Sequence, residues 1–440
     1  MLRRHHWAAA AAVLLVVIGG LVLVWRAAET GPVVRTVALG SVPTLIAVDA
    51  PMHRVFIGNS ADSTVSVLDS DDGSVLGTLA LGSPPADTLA GLAVDTRSGH
   101  AFAATSTDPG AEGRVVMLDA RSGAVLHRVP VGHNPEGIAV DERTGRAFVY
   151  NCTDGTVSVV DTRTGALLVT RQVGPPGSGT FQVGTPVVVD ERLGRVFVMH
   201  MDELFMLDAR TGARRAALRL PDSGLNLALD RRTRRLFVMA ADGTLSVLDA
   251  RSGRLLRAVK MGVGTLATDA RTGQVFLARS PIGSSPPFSG PQRLVMLDGH
   301  SGAVVRSVAL DSPSYALAVD PRADRLLVAT MGSADGTGRP QGYGSVEVRD
   351  SRTLALRGRI PVGVMPSAIA LAGQRGLAFV VNSGAHLESG QPVRVPVPED
   401  VGARLARTVK SVARWLPLAP PQRALSPPTG SVTLLNLARL

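Results

Sequence analysis

The sequence predicts an all-β fold, a single β-propeller of four-stranded blades behind a short apolar N-terminal segment, and three observations carry that reading. The phrase IAVD at 46–49 recurs as LAVD ending at Asp95, IAVD at Asp141, VVVD at Asp190, LALD at Asp230, LATD at Asp269, LAVD at Asp320 and IALA at Ala372. A second phrase follows each copy: VSVLD ending at Asp69, VVMLD at Asp119, VSVVD at Asp161, LFMLD at Asp208, LSVLD at Asp249, LVMLD at Asp298, VEVRD at Asp350 and VTLLN at Asn436. Between the two phrases lies a short apolar strand such as RVFIGN or RAFVYN, and after the second comes another, such as GAVLHRVPV. One unit is therefore four short strands in about 46 residues, which is a propeller blade. Eight copies of each phrase give eight blades, or seven if one unit is degenerate.

Taken in chain order, residues 1–6 hold Arg3 and Arg4 and precede an uncharged run at 7–25, with Trp7 and Trp25 at its ends. A helix of about 17 to 25 apolar residues crosses a bilayer. A transmembrane signal anchor is expected at 7–25, with 1–6 as a cytoplasmic tip and the rest of the chain outside the cytoplasm by the positive-inside rule. A cleaved signal peptide is the alternative, although WRAAET is a poor small-x-small site and no lipobox cysteine is present. The propeller is expected from 32 to 440. Only LARL follows Asn436, so the eighth unit lacks its fourth strand, whereas GPVVRTVALG at 31–40 closely matches the fourth strand GAVVRSVAL at 302–310. The N-terminal strand thus completes the last blade and removes the open sheet edges. Within the units the turn D-x-R-S/T-G recurs as DTRSG, DERTG, DARSG and DTRTG. Its Asp caps the turn and its Gly supplies a positive φ, so the repeated Asp is structural rather than catalytic or metal-binding.

Composition narrows the function classes. Lys+Arg of 46 against Asp+Glu of 36 gives a net charge of +10, nearly all of it arginine, since Lys occurs only at 260 and 410. The excess is spread along the chain without a concentrated patch or interleaved aromatics, so nucleic acid is not indicated as a partner. The single cysteine, Cys152, excludes an internal disulfide framework, a CxxCH haem site and a cysteine zinc cluster, and reads as a small buried hydrophobe.

The units FVYNCTDGTVSVVDTRTG and GHNPEGIAVD resemble YVTN-type β-propeller repeats, and the resemblance covers the chain after its apolar segment. It implies an extracytoplasmic propeller of the cell envelope, in the broad superfamily shared with quinoprotein amine dehydrogenase-like propellers. Resemblance to quinone-dependent dehydrogenases would imply tryptophan docking motifs along the blades, but the tryptophans are Trp7, Trp25 and Trp415, none of them in a repeat. Histidines are scattered over different repeat positions, and no GxSxG, HExxH, Walker or dinucleotide motif stands out. No cofactor, catalytic residue or metal ligand is assigned. A Ca2+-dependent, lactonase-like hydrolase or an accessory subunit of an envelope oxidoreductase remains the alternative reading.

Candidate binding residues follow from blade geometry. The ends of the second strands form a ring on the face that also carries the hairpin to the third strand; there the chain places Asn59, Thr105, Asn151, His200, Ala240, Arg279, Thr330 and Asn382. These read either as hairpin caps or, together, as a polar funnel. One residue past the GxxP turn stand Thr44, Glu136 and Ser367, with His133 and Asn134 beside Glu136, the only acid at this step. The same hairpin carries the long insertions of the sixth, seventh and eighth units, with Tyr343 as an exposed aromatic candidate. The eighth, at 384–429, is Pro-rich and includes EDVGARLARTVKSVARWL at 399–416. In that stretch Arg404, Arg407, Lys410 and Arg414, with Trp415 near its end, oppose an apolar face of Val401, Leu405, Val409, Val412 and Leu416. Such a basic amphipathic helix is a lid on its own propeller or a contact to membrane or partner. The expected function is a membrane-anchored, extracytoplasmic binding or scaffold protein whose partner is an envelope protein or polymer. The sequence leaves the oligomeric state open.

Overall fold

Alternation within each strand decides how the blades stack. In a computed structural model, residues 31–82, 88–106, 111–177, 185–279, 292–332, 342–372, 376–384 and 430–439 are described. They form eight antiparallel four-stranded sheets. Blades I to VII span 43–80, 88–133, 135–172, 187–219, 224–260, 264–309 and 314–361, each a meander in chain order. In blade VIII three C-terminal strands are completed on the outside by the N-terminal strand Val33–Leu39, which pairs with Gly430–Asn436 from Val33 opposite Leu435 to Leu39 opposite Gly430. The first strands of neighbouring blades lie side by side around the ring, and Pro366–Ala372 of blade VIII lies beside Pro43–Asp49 of blade I, so the ring closes at eight.

The core lies between blades. Phe56, Val65 and Val67 of blade I pack against Leu89, Ala101, Ala103 and Val116 of blade II, and the pattern repeats at the other blade junctions. Seven blades place a phenylalanine third in the second strand, at 56, 102, 148, 197, 237, 276 and 379, none more than 1% exposed. Burying one contributes about 2 to 3 kcal/mol.

Two bulges recur. In blades I, II, III, V, VII and VIII the first strand has one residue without a partner on the second: Thr44, Ala90, Glu136, Leu225, Tyr315 and Ser367. Every outer strand has another, at Leu76, Leu126, Leu168, Arg215, Leu256, Val305, Arg357 and Val34. An outer-strand bulge twists the exposed edge away from further pairing. In blades I, II, III, V and VI the aliphatic member and the residue before it form an exposed pair on the outer strand, Val75 with Leu76, Val125 with Leu126, Leu167 with Leu168, Leu255 with Leu256 and Val304 with Val305.

The expected single-pass anchor is corrected. Among the described residues the apolar side chains sit on short strands packed between blades, and no helix is long and apolar enough to cross a membrane. The span at 7–25 and the tip at 1–6 lie outside the described residues. Among the described residues the fold is accordingly an all-β propeller with no transmembrane helix. The membrane contact, the single-pass localisation and the anchored form of the function that rested on that helix are set aside with it.

Candidate functional site

The face carrying the second–third hairpins, here the upper face, also receives the loops between blades. In blades I, III and VIII that loop is Gly-x-x-Pro, whose third residue is left-handed: Val42, Asn134 and Met365 at φ 51°, 52° and 51°. Asparagine tolerates this conformation, which gives Asn134 a structural role. Hairpin aspartates hold the loops. Asp154 accepts from the His133 amide at 2.8 Å and lies 3.0 Å from its ring Nδ1; Asp62 accepts from the Ser41 amide in blade I. Pro135 then opens the strand and Glu136 occupies the bulge, half-buried, with Asn134 Nδ2 donating to its Oε1 at 3.2 Å. A bulge re-aims its side chain. Among the bulged residues Thr44, Ala90, Leu225, Tyr315 and Ser367, Glu136 is the only carboxylate, and Thr44 and Ser367 are hydrogen-bonded to Ser60 and to the Pro43 carbonyl.

Beneath Glu136 is a buried group that joins blades III and IV. Tyr150 is fully buried, and its hydroxyl lies 2.7 Å from Nδ1 of His200, whose Nε2 lies 3.0 Å from the Pro175 carbonyl. A carbonyl only accepts, so Nε2 carries the hydrogen and Nδ1 accepts from Tyr150. Burial holds His200 below its usual pKa, against the opposing pull of the Pro175 carbonyl, Glu203 and Asp202. Burial and then the neighbouring charge of Glu136 push the Cys152 thiol up to about 12. Burial, then Cys152 and Glu136, raise the Tyr150 phenol above its ordinary range. At neutral pH the group is a neutral imidazole with both nitrogens engaged, a protonated thiol and a protonated phenol, which form a fixed hydrogen-bonding floor rather than a nucleophile and base.

The remaining candidates sit elsewhere. Asn59, Asn151 and Asn382 are 0% exposed, so the expected polar funnel is not lined by them. Asn59 Nδ2 donates to Thr64 and Ser66 at 2.9 and 3.0 Å, Asn151 Nδ2 to Thr156 and Ser158 at 3.0 and 2.9 Å, and Asn382 Nδ2 to Thr433 at 3.1 Å. Their amides tie the second strand to the third. Each packs on the glycine of its Gly-x-x-Pro loop: a Cβ on Gly40, Gly132 or Gly363 would come within 2.9, 2.8 or 2.6 Å of the asparagine. Thr105, Thr330 and Ala240 are also buried, while Arg279 is half-buried with its Nε against Gly262. Tyr343 is half-buried rather than exposed. Arg404, Arg407, Lys410, Arg414 and Trp415 lie outside the described residues, as do 280–291, 333–341 and 385–429 of the insertions. Among the described residues no group of three or more His, Cys, Asp or Glu gathers where a metal ion could be held. The Tyr150–His200 pair was not legible in the sequence, because it forms only when two blades meet.

On the lower face the D-x-R-S/T-G turns behave as read. Asp119 Oδ1 accepts from the amides of Arg121 and Ser122 at 3.1 and 2.7 Å, and Gly123 closes the turn at φ 75°. The expectation of evenly spread charge is corrected here: the turns of blades IV and V bring Arg192, Arg231, Arg232, Arg234 and Arg251 around adjoining grooves.

Comparison with known proteins places this architecture. Among solved structures, BamB from Moraxella catarrhalis superposes with a TM-score of 0.58 at 17% identity, over 80% of this chain and 96% of its own. The computationally designed Ika8 protein gives 0.60 at 18% identity over 80% and 96%. Saccharomyces cerevisiae Sqt1 gives 0.60 at 13% identity over 80% and 95%. At these identities the likeness is one of fold. No curated protein matches the sequence. The family described as outer membrane protein assembly factor BamB matches at residues 2–152 and 153–335, well over half of the sequence. The chain belongs to that family and is an eight-bladed propeller related to BamB and the PQQ-type repeat proteins.

Proposed function

We propose that this protein is a non-catalytic binding propeller of the cell envelope, working in protein assembly as its family's name describes, with the channel mouth on the upper face as its contact surface. The observation that carries the reading is Glu136. It is the one carboxylate among the described first-strand bulge residues, steadied by Asn134 and set beside a buried group, including Cys152, whose protonation states suit recognition and not turnover. His133, held to Asp154, flanks it. The finer kinship, to YVTN-type repeats, rests on FVYNCTDGTVSVVDTRTG and belongs to this proposal. So do the contact roles of Tyr343 and of the basic segment with Arg404, Arg407, Lys410, Arg414 and Trp415.

The test is photo-cross-linking in cells from the full chain, with a photoreactive residue at Thr44, Glu136 or Ser367 and controls at Arg121 and Arg163 on the lower face. A discrete adduct with one envelope protein from the mouth positions, weakened by Glu136→Gln at a neighbouring probe, is the expected result. Adducts from the controls alone would overturn the assignment. So would Ca2+-dependent hydrolysis of a lactone by the purified protein that Glu136→Gln abolishes.

A further inference from the structure

The lower face of blades IV to VI carries a feature that the repeat pattern does not require. Two adjoining grooves, of about 570 and 500 Å³, share Arg232, Arg234 and Arg251; Arg192 and Arg231 line the first, and His300 the second. Both fall within the range of pockets that hold a discrete ligand, roughly 300 to 1,000 Å³. Arg235, which also lines the second groove, pairs with Asp249 at 3.0 Å, and Arg352 of blade VII pairs with Asp324 at 3.1 Å; the turn arginines Arg97, Arg163, Arg210 and Arg322 make no side-chain ion pair or hydrogen bond among the described residues, but they stand outside these two grooves. Among the described residues the side chains of Arg192, Arg232, Arg234 and Arg251 make no ion pair and no hydrogen bond, and Arg231 is engaged only by the Val189 carbonyl, at 3.0 Å, and the charge of Glu191. The carboxylates nearby are already committed. Asp190 is buried and caps its turn through Arg192 N and Leu193 N, Asp230 is buried against Thr233 and the Arg232 amide, and Asp249 holds Arg235 and the amides of Arg251 and Ser252.

Arg234 adds an independent observation. The same turn position is glycine in blades II, III, IV, VI and VIII, at φ 62° to 74°, whereas His53 in blade I and Asp324 in blade VII hold it at φ 54° and 50° with their side chains paired, to Asp71 and to Arg271 and Arg352 respectively. In blade V an exposed arginine is held there at φ 56°, a conformation that costs a side-chain-bearing residue energy glycine would not incur. Unlike His53 and Asp324, Arg234 has no intramolecular partner for its side chain among the described residues, which leaves its guanidinium available to an external group.

We infer that these grooves bind an extended acidic segment of a protein partner, whose carboxylates pair with the free guanidinium groups. Guanidinium is suited to bidentate, directional pairing with carboxylates. The concave site favours a chain that enters over a flat lipid surface that would touch only the rims. The inference rests on the binding role proposed above but uses the opposite face, so loss of the mouth adducts and loss of this site are read separately.

The test uses the full-length protein and a short fluorescein-labelled peptide of alternating glutamate and alanine. Saturable binding is expected that weakens with added salt, falls by about tenfold or more in Arg232→Ala/Arg251→Ala, and is unchanged in Arg121→Ala/Arg163→Ala on other blades. Arg234→Gly separates binding from folding: it should raise the melting temperature while weakening the peptide, a pair of shifts that misfolding does not produce. Absence of saturable binding, or binding indifferent to both variants, overturns the inference. It is also overturned if vesicles of phosphatidylglycerol and phosphatidylcholine, or a DNA duplex, bind these arginines in preference to the peptide.

Discussion

Among the described third strands, that of blade VII is the one in which the repeat's own packing rule is broken by charge. Where other third strands read VSVLD or LSVLD, this one reads VEVRD. Glu347 is 1% and Arg349 7% exposed. Glu347 Oε2 accepts from Arg349 Nε at 2.8 Å and Oε1 from Arg359 at 2.6 Å; Arg359 also reaches Asp311 at 2.6 Å, and Arg349 donates to the Leu354 carbonyl at 2.8 Å. Glu347→Ser leaves the Arg349 guanidinium buried with only a carbonyl, and removing one partner of a buried pair costs about 3 to 5 kcal/mol. Arg349→Leu should cost less, because Glu347 keeps Arg359. The double variant, which rewrites the strand as VSVLD, removes both charges and buries a leucine worth about 2 kcal/mol, against about 1 kcal/mol for the lost bond to Leu354. It should return to within roughly 1 kcal/mol of the parent. Urea and thermal midpoints of the four proteins form the cycle. A double variant as unstable as Glu347→Ser would refute the argument that the charges are each other's main support, and an unchanged midpoint for Glu347→Ser would refute their burial.

Three further outcomes are expected. Gly132→Ala should destabilise by about 1 to 3 kcal/mol, since its Cβ would stand 2.8 Å from Asn151 Nδ2, whereas Gly77→Ala, with nothing within 4 Å, should not; thermal melts compare the two. Val42→Asn should stabilise by about 1 kcal/mol in the same assay, because a β-branched residue at φ 51° is replaced by the type found at φ 52° in Asn134. Burial alone would raise Asp350, but Arg357 and the amides of Thr353 and Arg352 hold its carboxyl at about 2, and Asp208 is lowered in the same way by Arg215. That stability is present above the unfolded carboxylate value of about 3.9 and is lost as pH falls toward about 2, so Arg357→Ala should move the onset of acid unfolding to higher pH.

Blade number and closure were legible because both depend on local pattern. Asp-ended phrases mark strand ends, and the match of 31–40 to 302–310 located the closing strand without any tertiary information. The bulges were not legible. An extra residue that recurs in almost every unit lengthens all copies alike and leaves no irregularity to notice, so Glu136 could be placed past the turn but not recognised as unpaired in its ladder. The asparagines had a signal that went unused: each stands nineteen residues after a Gly-x-x-Pro glycine, 40 with 59, 132 with 151 and 363 with 382. That fixed spacing ties glycine to amide by close approach and marks the asparagines as packing residues rather than a funnel. The arginine grooves were hidden for the opposite reason. Arg192, Arg232 and Arg251 are far apart in sequence, and only the stacking of turns on one face adds their charges together.

In a repeat protein the interchangeable positions carry the fold, so specificity has to reside where one unit departs from the others, and the structure separates departures by what surrounds them. Glu347 and Arg349 depart from Ser and Leu, yet they face each other inside a blade, and their ion pair is internally complete. Glu136 departs on the first-strand bulge of blade III, where it is half-buried and engaged by Asn134 and by Cys152. Arg234 departs from glycine on the surface, in a costly backbone conformation, with no contact of its guanidinium among the described residues. An internally satisfied departure needs only stability to explain it. A strained departure whose functional group is left unsatisfied within the molecule needs something outside it, and that asymmetry ranks the lower-face arginines above the buried network as a place to seek a partner.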